Sequence, residues 1–345
     1  MKPTRRSVLK GATALAAFAA AQGVAEACIQ MPPVAAPARK LGKGMTKGLT
    51  LLTFRPASSQ GEYRLGVKTP KGILDVAVAA KALRMHAPVT MDDLLQNEDG
   101  PSLNALVEAA LKSPAAKAAF IKEDGIGYGP VVTRPEKIVC VGLNYRKHAQ
   151  ETGAPIPKQP VLFSKFNTTL NHHNGTVKLP VEAAVKFDYE VELVIVMGRE
   201  AKNVAEADAL SYVAGYCTGN DFTARDLQYE TGGQWLVGKT PDQFAPLGPY
   251  MVTADQANGD NLKLECRVNG ETRQSSNTAD MIFNCRQIIH YISRVITLKP
   301  GDIIYTGTPE GVIQGKPKDK QVWLKPGDKI ACSLENLGEL KFDLV

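Results

Sequence analysis

Short apolar or alternating runs dominate the chain from Glu136 to the carboxyl terminus. Most of these runs end at glycine, proline, asparagine or aspartate, which are residues that favour turns. The runs are KIVCVGLNY, VKFDYEVELVIVMG, VAGYCTGNDFTARD, GPYMVTA, LKLECRVNGETRQ, DIIYTGTPEGV and KIACSLENLGELKFDLV. Short strands at this spacing predict a β-rich sandwich or roll, and they argue against a doubly wound α/β sheet.

A smaller unit precedes this β-rich region. The stretches LTLLTFRP and EYRLGVKTPKGILDVAVAA predict strands, with a hairpin turn at TPKG. The stretch SLNALVEAALKSPAAKAAFI has the apolar spacing of an amphipathic helix. We therefore predict an α+β, β-rich chain, with a small N-terminal α/β domain at residues 49–130 and a larger β-roll or sandwich domain at residues 131–345.

One helix stands out within the β-rich region. It is predicted in NTADMIFNCRQIIHYISRVI, where Asn277 or Thr278 can cap the first turn. Its apolar residues recur at helical spacing and share one face: Met281, Ile288, Ile289, Ile292 and Val295.

The first 27 residues have the organisation of an export signal. TRRSVLK precedes a mild apolar run, and AEA at the end of that run is an A-x-A cleavage site. The run is too short and too rich in alanine and glycine to span a membrane. We expect a twin-arginine signal peptide at residues 1–27, a linker at residues 28–48, and a periplasmic or secreted protein. The alternatives are a basic amino terminus and, because Cys28 follows the cleavage site, a lipoprotein signal.

Composition and charge add two exclusions. The chain has 345 residues, of which 44% are hydrophobic, so it can bury a sizeable core. Its formal net charge of +6 falls to +3 without residues 1–27, because that segment carries four basic residues and one acidic residue. So mild a charge predicts no nucleic-acid partner. Six cysteines without a CxxC pair argue against a zinc ribbon and leave the disulfide state open.

Two glutamates interrupt the apolar strand-like run FDYEVELVIV at residues 187–196. Residues i and i+2 of a strand share a face, so Glu190 and Glu192 are expected roughly 7 Å apart on one side of the sheet. Asp221 ends another strand-like stretch and can face the same cleft. Three converging carboxylates suit a hard divalent cation, Mg²⁺ first, with Mn²⁺ or Ca²⁺ as alternatives. Otherwise the glutamates line a solvated sheet face and Asp221 caps a turn.

Other polar residues add candidate chemistry. His148 and Glu151 are spaced i, i+3, so on a helical turn the carboxylate can orient the imidazole as a general base for water. Lys239 lies in an apolar, glycine-rich stretch, where a buried lysine needs a charged partner or a ligand. Thr306 and Thr308 follow a strand, where hydroxyl and amide groups can hold a substrate oxygen. Each feature alone also fits an ordinary surface or turn residue.

Taken together and in this order, the segments resemble the fumarylacetoacetate hydrolase superfamily. The resemblance runs from Lys137 to the end of the chain through GLNYRKHAQE, DYEVELVIVMG, GYCTGNDFTARDLQ, WLVGKTPDQFAPLGP, NGETRQSSNTADMIFNCRQIIHYIS and LKPGDIIYTGTPEGV. Residues 49–129 resemble the small N-terminal domain that many members carry. The resemblance implies a mixed β-roll that usually forms a homodimer through its catalytic domain.

The resemblance also implies a role for each candidate residue. The cation, Mg²⁺ or Mn²⁺, would be bound by the three carboxylates Glu190, Glu192 and Asp221. Water would be activated by the pair His148 and Glu151. Developing negative charge would be stabilised by Lys239. The oxygens of the substrate would be contacted by three polar residues, Arg225, Gln228 and Thr308.

The implied chemistry proceeds through an enolate held by the metal ion. The main expectation is a hydrolase that cleaves a C–C bond in a 1,3-dioxo or 2-oxo acid of the acylpyruvate or fumarylacetoacetate type. The His148–Glu151 pair favours a hydrolase or a decarboxylase over an isomerase, because an isomerase has less need of a pair that activates water. The alternatives are an isomerase or decarboxylase of small dicarboxylic acids such as hydroxymuconate, 2-hydroxyhepta-2,4-diene-1,7-dioate or oxaloacetate. An alternative of a different class is a non-catalytic periplasmic protein that binds an oxo acid.

Overall fold

The computed structural model describes residues 40–57, 59 and 61–345. The predicted export signal and the first part of the predicted linker lie outside these residues. Within the described part of the chain, no helix combines the length and the apolar character needed to cross a membrane.

In the first part of the described chain, three strands precede three α-helices and two short strands follow them. Its elements are β1 (Thr50–Pro56), β2 (Arg64–Thr69), β3 (Gly72–Asp75), α1 (Val76–Leu83), α2 (Met91–Gln96), α3 (Gly100–Lys112), β4 (Phe120–Ile121) and β5 (Ile126–Tyr128). The hairpin predicted at TPKG is present, since β2 and β3 pair antiparallel up to Thr69 and Gly72. Helix α3 ends earlier than its apolar pattern suggests, because Pro114 cannot donate the next backbone hydrogen bond.

The remainder of the chain is rich in strands, as predicted. Its first elements are β6 (Ile138–Gly142), α4 (Arg146–Glu151), β7 (Val161–Lys165), β8 (Leu170–Asn171), β9 (Gly175–Val177), β10 (Phe187–Asp188), β11 (Val191–Met197), β12 (Val213–Asn220), β13 (Thr223–Ala224), α5 (Arg225–Tyr229) and α6 (Leu236–Lys239). Its last elements are β14 (Ala245–Pro246), β15 (Met251–Thr253), β16 (Lys263–Val268), β17 (Glu271–Asn277), α7 (Cys285–Val295), β18 (Ile303–Tyr305), β19 (Lys329–Leu334) and β20 (Gly338–Leu344). The β-rich α+β fold predicted from the sequence is therefore confirmed.

The largest sheet contains strands from both parts of the chain. Its eleven strands follow the order β4-β3-β2-β1-β15-β12-β11-β18-β6-β7, with β5 paired to β1. Because β1 pairs antiparallel with β15, the first strands continue the sheet formed by the later ones. A second sheet of five strands has the order β17-β16-β19-β20-β9. The domain boundary at residue 130 stays a prediction.

Strand β11 is fully buried within the large sheet. All seven of its residues are buried. Leu193 and Ile195 pack into one hydrophobic cluster, while Val194 and Val196 pack into another on the opposite face. Side chains that leave the start of this strand are therefore held by a rigid support.

The run FDYEVELVIV forms two strands, not the single strand that its alternation suggests. Phe187 and Asp188 belong to β10, which pairs with β13 in a separate two-stranded sheet. The chain then leaves strand geometry at Tyr189 and Glu190 before β11 begins. At this break the Val191 amide donates to the side chain of the distant residue Gln274 at 3.0 Å and not to a strand neighbour.

The predicted helix around residue 288 is capped by Asn284, seven residues after its earliest predicted cap at Asn277. Asn284 and Gln287 form a capping box, in which each side chain accepts from the backbone amide of the other residue. Val295, placed on the apolar face by its spacing, is 71% exposed. The five described cysteines, Cys140, Cys217, Cys266, Cys285 and Cys332, are buried free thiols.

Candidate active site and metal centre

Three buried carboxylates meet at one end of strands β11 and β12. Glu190 directly precedes β11, Glu192 is its second residue, and Asp221 directly follows β12. The three lie side by side because Val191 pairs with Asn220 in the antiparallel register. One carboxylate oxygen of each residue lies within 4.8 Å of the other two. Converging carboxylate oxygens at this spacing fit a hard divalent cation.

Three buried cations compensate the acidic cluster. Lys239 Nζ donates to Asp221 Oδ2 at 2.7 Å and also to Glu190 Oε2. The second oxygen of Glu190 accepts from Arg225 Nη2 at 2.6 Å, and the second oxygen of Asp221 accepts from Lys165 Nζ. A divalent cation bound by the cluster would therefore use oxygens of Glu190 and Asp221 that already accept from a lysine or an arginine.

The two glutamates differ in their electrostatic environment. Burial alone would raise the pKa of Glu190, but Arg225 and Lys239 outweigh burial and hold that pKa below its ordinary value. Burial raises the pKa of Glu192 well above its ordinary value, and the nearby carboxylates of Asp221 and Glu190 raise it further. Glu192 is therefore the member of the cluster whose negative charge is least compensated by the protein.

The predicted pair of His148 and Glu151 forms on the short helix α4. His148 Nδ1 and Glu151 Oε1 are 2.8 Å apart. The second oxygen of Glu151 accepts from the Gly311 amide at 2.9 Å, which fixes the carboxylate behind the imidazole. The Nε2 atom of His148 has no protein partner within the described chain, so this nitrogen is the one available to a substrate.

A loop directly after β18 closes the acidic cluster from one side. The Gly307 amide donates to Glu192 Oε2 at 2.7 Å. Gly307 has a φ of +101°, and a Cβ atom there would lie 2.7 Å from the Asn144 Cβ, so only glycine fits. The Thr308 hydroxyl donates to the Val191 carbonyl at 2.9 Å and accepts from the Gln274 amide group at 2.9 Å. Thr308 therefore fixes this loop to β11 in addition to lining the pocket.

The acidic cluster lies at the bottom of a wide cleft. An inner pocket of about 20 Å³ is lined by the three carboxylates together with His148, Arg225, Gln228, Lys239 and Thr308. A cleft of about 1030 Å³ leads to it and shares His148, Arg225, Tyr229 and Trp235 with the inner pocket. All nine residues predicted for the site line one or both of these spaces, and Glu151 lines the outer one.

Several residues that shape this site are not among those predicted from the sequence. Lys165 ends strand β7 and has a fully buried side chain, and a lysine that closes an apolar run (VLFSK) is the signal that points to it. Asp188 accepts from Arg225 Nε at 2.9 Å. Trp235 forms a wall of the cleft and contacts Phe163 edge to face at 5.5 Å. Neither of these two residues has a distinctive spacing in the sequence.

A β-rich scaffold that places three buried carboxylates beside a histidine–glutamate pair defines a class of enzyme built around an oxygen-ligated divalent cation. Residues 137–345 match the family model described as "Fumarylacetoacetate (FAA) hydrolase C-terminal". The chain belongs to the fumarylacetoacetate hydrolase family, as its sequence motifs suggested, and it is an enzyme of that family. This result displaces the alternative of a non-catalytic binding protein.

Curated relatives of the chain include oxaloacetate tautomerases. The chain is 41% identical over 268 residues to "Oxaloacetate tautomerase Fahd2a, mitochondrial" of Rattus norvegicus, covering 77% of this chain and 82% of the relative. It is 39% identical over 295 residues to "Oxaloacetate tautomerase FAHD2A, mitochondrial" of Homo sapiens, covering 85% of this chain and 90% of the relative. The predicted periplasmic or secreted location is wrong on this comparison, because both relatives are named as mitochondrial proteins.

Solved structures of similar fold include an isomerase and a hydrolase. The 2-hydroxyhepta-2,4-diene-1,7-dioate isomerase of Mycobacterium marinum is 28% identical with a TM-score of 0.60, covering 86% of this chain and 98% of that chain. The maleylpyruvate hydrolase of Sphingobium sp. SYK-6, in complex with manganese(II) and pyruvate, is 29% identical with a TM-score of 0.68, with the same coverage of 86% and 98%. A manganese-bound neighbour and the buried acidic cluster together indicate divalent metal binding.

Proposed function

We propose that the chain is a divalent-metal-dependent tautomerase of a 2-oxo acid such as oxaloacetate, with Mg²⁺ or Mn²⁺ as the cation. The observation that carries this proposal is the inner pocket, where Glu190, Glu192 and Asp221 lie next to His148. The names of the rat and human relatives support oxaloacetate as the substrate.

The charges of the site favour an anionic substrate that supplies two oxygens. Four buried carboxylates oppose three buried cations: Asp188, Glu190, Glu192 and Asp221 against Lys165, Arg225 and Lys239. With every group charged, the cluster carries one net negative charge, and a divalent cation reverses it to one net positive charge. A carboxylate beside a carbonyl oxygen suits such a site, because its own charge restores neutrality.

The chain's own residues can perform the proton transfer of tautomerisation. When bound, the cation would act as a Lewis acid toward the carbonyl and enolate oxygens. His148 Nε2 removes a proton from the carbon next to the carbonyl, the C–H electron pair becomes the C=C bond, and a proton returns to the oxygen. Glu151, 2.8 Å from Nδ1, stabilises the transient imidazolium. Lys239 holds positive charge beside the developing enolate.

C–C bond hydrolysis is the second candidate function, and decarboxylation uses the same enolate. The His148–Glu151 pair does not select hydrolysis, contrary to our expectation from the sequence, because tautomerisation needs a base of the same kind. Two observations favour hydrolysis as a second candidate. The outer cleft of about 1030 Å³ is far larger than a four-carbon acid requires, and the manganese-bound neighbour is named a maleylpyruvate hydrolase.

Three assays on the same protein separate these reactions. The first follows the loss of oxaloacetate enol absorbance, the second follows pyruvate release from acylpyruvates, and the third follows pyruvate release from oxaloacetate. Each assay is run with Mg²⁺, with Mn²⁺ and with excess chelator. We expect metal-dependent enol–keto conversion that outpaces both pyruvate-releasing reactions. Metal-independent conversion, or pyruvate release as the only enzymatic reaction, would overturn the proposal.

We also propose that the protein is a homodimer. Among the described residues, strand β7 lies at one edge of the large sheet, and Phe166 directly after it is 55% exposed. An unpaired edge next to an exposed aromatic side chain favours association. Light scattering coupled to size exclusion should give a dimer for the wild type and a monomer for Phe166→Glu. A monomeric wild type would contradict this proposal.

A further inference from the structure

We propose that Asp188 is a positioning residue that couples the cation cluster to the His148–Glu151 pair. The inference rests on the proposed function, because one of its tests measures turnover of the proposed substrate. A second test measures cation binding and does not depend on which reaction the enzyme catalyses. Asp188 contacts neither the three carboxylates nor the imidazole directly. It acts through Arg225 on one side and through the loop of residues 311–315 on the other.

The Asp188 carboxylate is fully buried, and four donors surround it. Its Oδ2 atom accepts from Arg225 Nε at 2.9 Å and from the Gln314 amide at 3.0 Å. Its Oδ1 atom accepts from the Ile313 amide at 2.9 Å and from the Tyr189 amide at 3.0 Å. A buried carboxylate with this many donors is held in one orientation and holds its partners in turn.

Arg225 carries the effect of Asp188 to the cation cluster. Its Nη2 atom donates to Glu190 Oε1 at 2.6 Å, and its Nη1 atom donates to Gln228 Oε1 at 3.0 Å. Because the guanidinium group is a rigid plane, a bond that fixes Nε also fixes the direction of both other nitrogens. Asp188 therefore orients the side chain that sets the position of Glu190.

The loop of residues 311–315 carries the effect of Asp188 to the base. The Gly311 amide donates to Glu151 Oε2 at 2.9 Å, and the Tyr189 hydroxyl donates to the Gly311 carbonyl at 3.0 Å. The loop passes close to Glu151, because a Cβ atom on Gly315 would lie 2.5 Å from the Glu151 carboxyl carbon. Release of the Ile313 and Gln314 amides from Asp188 would let this loop move away from Glu151.

The substitution Asp188→Asn tests the coupling with almost no change in volume. An asparagine replaces one acceptor oxygen by a donor NH₂ group. Whichever way the amide is turned, that group faces two donors, which are either Arg225 and Gln314 or Ile313 and Tyr189. At least one side of the coupling is therefore broken.

A matched control is available in Asp302, another fully buried carboxylate. It accepts from the Lys137 amide at 2.8 Å and the Lys299 amide at 2.7 Å, and it pairs with the Lys137 ammonium at 2.9 Å. It has the same kinds of partner as Asp188 but lines neither the cleft nor the inner pocket. Asp302→Asn therefore reports the effect of a purely structural loss.

The experiment compares wild type, Asp188→Asn and Asp302→Asn in three measurements. These are kcat and KM for oxaloacetate enol, the Kd of Mn²⁺ by calorimetry without substrate, and the thermal midpoint. For Asp188→Asn we expect a fall in kcat of about 10- to 100-fold and a weaker Kd of about 10-fold. For Asp302→Asn we expect a lower thermal midpoint, with kcat and Kd within twofold of wild type.

If Asp188→Asn loses only thermal stability, as Asp302→Asn is expected to do, the proposal is wrong. If Asp188→Asn fails to fold, the variant Tyr189→Phe is measured instead. This change removes only the hydrogen bond from the Tyr189 hydroxyl to the Gly311 carbonyl. It should lower kcat several-fold and leave the Mn²⁺ affinity unchanged. An unchanged kcat in Tyr189→Phe would then overturn the coupling. A wild type that neither binds Mn²⁺ nor turns over substrate refutes the proposed function instead.

Discussion

The backbone amide of Asp221 donates a hydrogen bond of 2.9 Å to the carbonyl oxygen of Glu190. This bond lies one step beyond the pairing of Val191 with Asn220, where β11 begins and β12 ends. Two of the three carboxylates are therefore held by the rigid end of a buried strand pair. Ligands that are positioned in advance lose little conformational freedom when a cation binds.

Replacing Glu192 by glutamine should separate cation binding from stability. The variant loses an anionic ligand, so we expect Mn²⁺ affinity to fall about 100-fold or more and the cation-induced rise in thermal midpoint to disappear. Without a cation the variant should be more stable than wild type, because burial and two neighbouring carboxylates disfavour the charged form and raise the pKa of Glu192. Calorimetry and thermal melts with and without Mn²⁺ check both effects. The control is Glu271→Gln, at an exposed position, which should leave the Mn²⁺ affinity and the thermal midpoint unchanged.

Replacing His148 by alanine should abolish turnover but spare the cation. His148 bonds to Glu151 and to none of the three carboxylates, so the Mn²⁺ Kd should stay within a few-fold of wild type. Loss of a positioned general base should lower kcat by about 10²–10⁴-fold. The enol–keto assay and calorimetry measure the two quantities. The control is His290→Ala, because the His290 imidazole bonds to the Val204 carbonyl at 2.7 Å and does not line the cleft. Equal activity in the His148 and His290 variants would exclude His148 as the base.

Intrinsic fluorescence should report ligand binding directly. The chain has two tryptophans, Trp235 and Trp323, and both line the outer cleft. Pyruvate added in the presence of Mn²⁺ should change the emission in a saturable way, because it alters the environment of a cleft tryptophan. Trp323→Phe should retain part of the response and Trp235→Phe should remove most of it, since only Trp235 also lines the inner pocket. No change in wild type would mean that pyruvate does not bind in this cleft.

Stability should fall in mildly acidic solution because of His173. Burial, together with the nearby Lys341 ammonium group, lowers the pKa of His173 to about 4, while the unfolded chain protonates near 6.5. The unfolded state therefore takes up the proton first, so stability is lost as the pH falls from about 6.5 to about 4 and is level below that. The loss should be on the order of 1–2 kcal/mol for this half-buried ring.

The variant His173→Asn checks this assignment. The imidazole accepts from the Lys341 amide at 3.1 Å through Nδ1, and the asparagine oxygen can take over that role without a titrating group. Denaturant unfolding at several pH values should show a shallower decline between pH 6.5 and 4 in the variant. Parallel declines in wild type and variant would assign the pH dependence to other groups.

The sequence supports some features of the fold and site better than others. Alternating apolar runs predict the β-rich fold, because burial of one or both faces of a strand requires apolar residues at regular positions along the sequence. The i, i+3 spacing of His148 and Glu151 likewise predicts a contact within one helical turn. The break between β10 and β11 leaves no such pattern, because it depends on Gln274 from a distant strand. Asp188 is equally hard to place, since its partners Arg225 and Gln314 lie far away in the sequence.

The continuity of the large sheet limits how the chain can be shortened. Thr50 and Leu51 pair with Val252 and Met251, so β1 covers one side of β15 while β12 covers the other. A protein reduced to residues 131–345 would present β15 as a bare row of amide and carbonyl groups backed by apolar side chains. Such an edge recruits strands from other molecules, so the first strands act as a built-in protection against aggregation of the catalytic part.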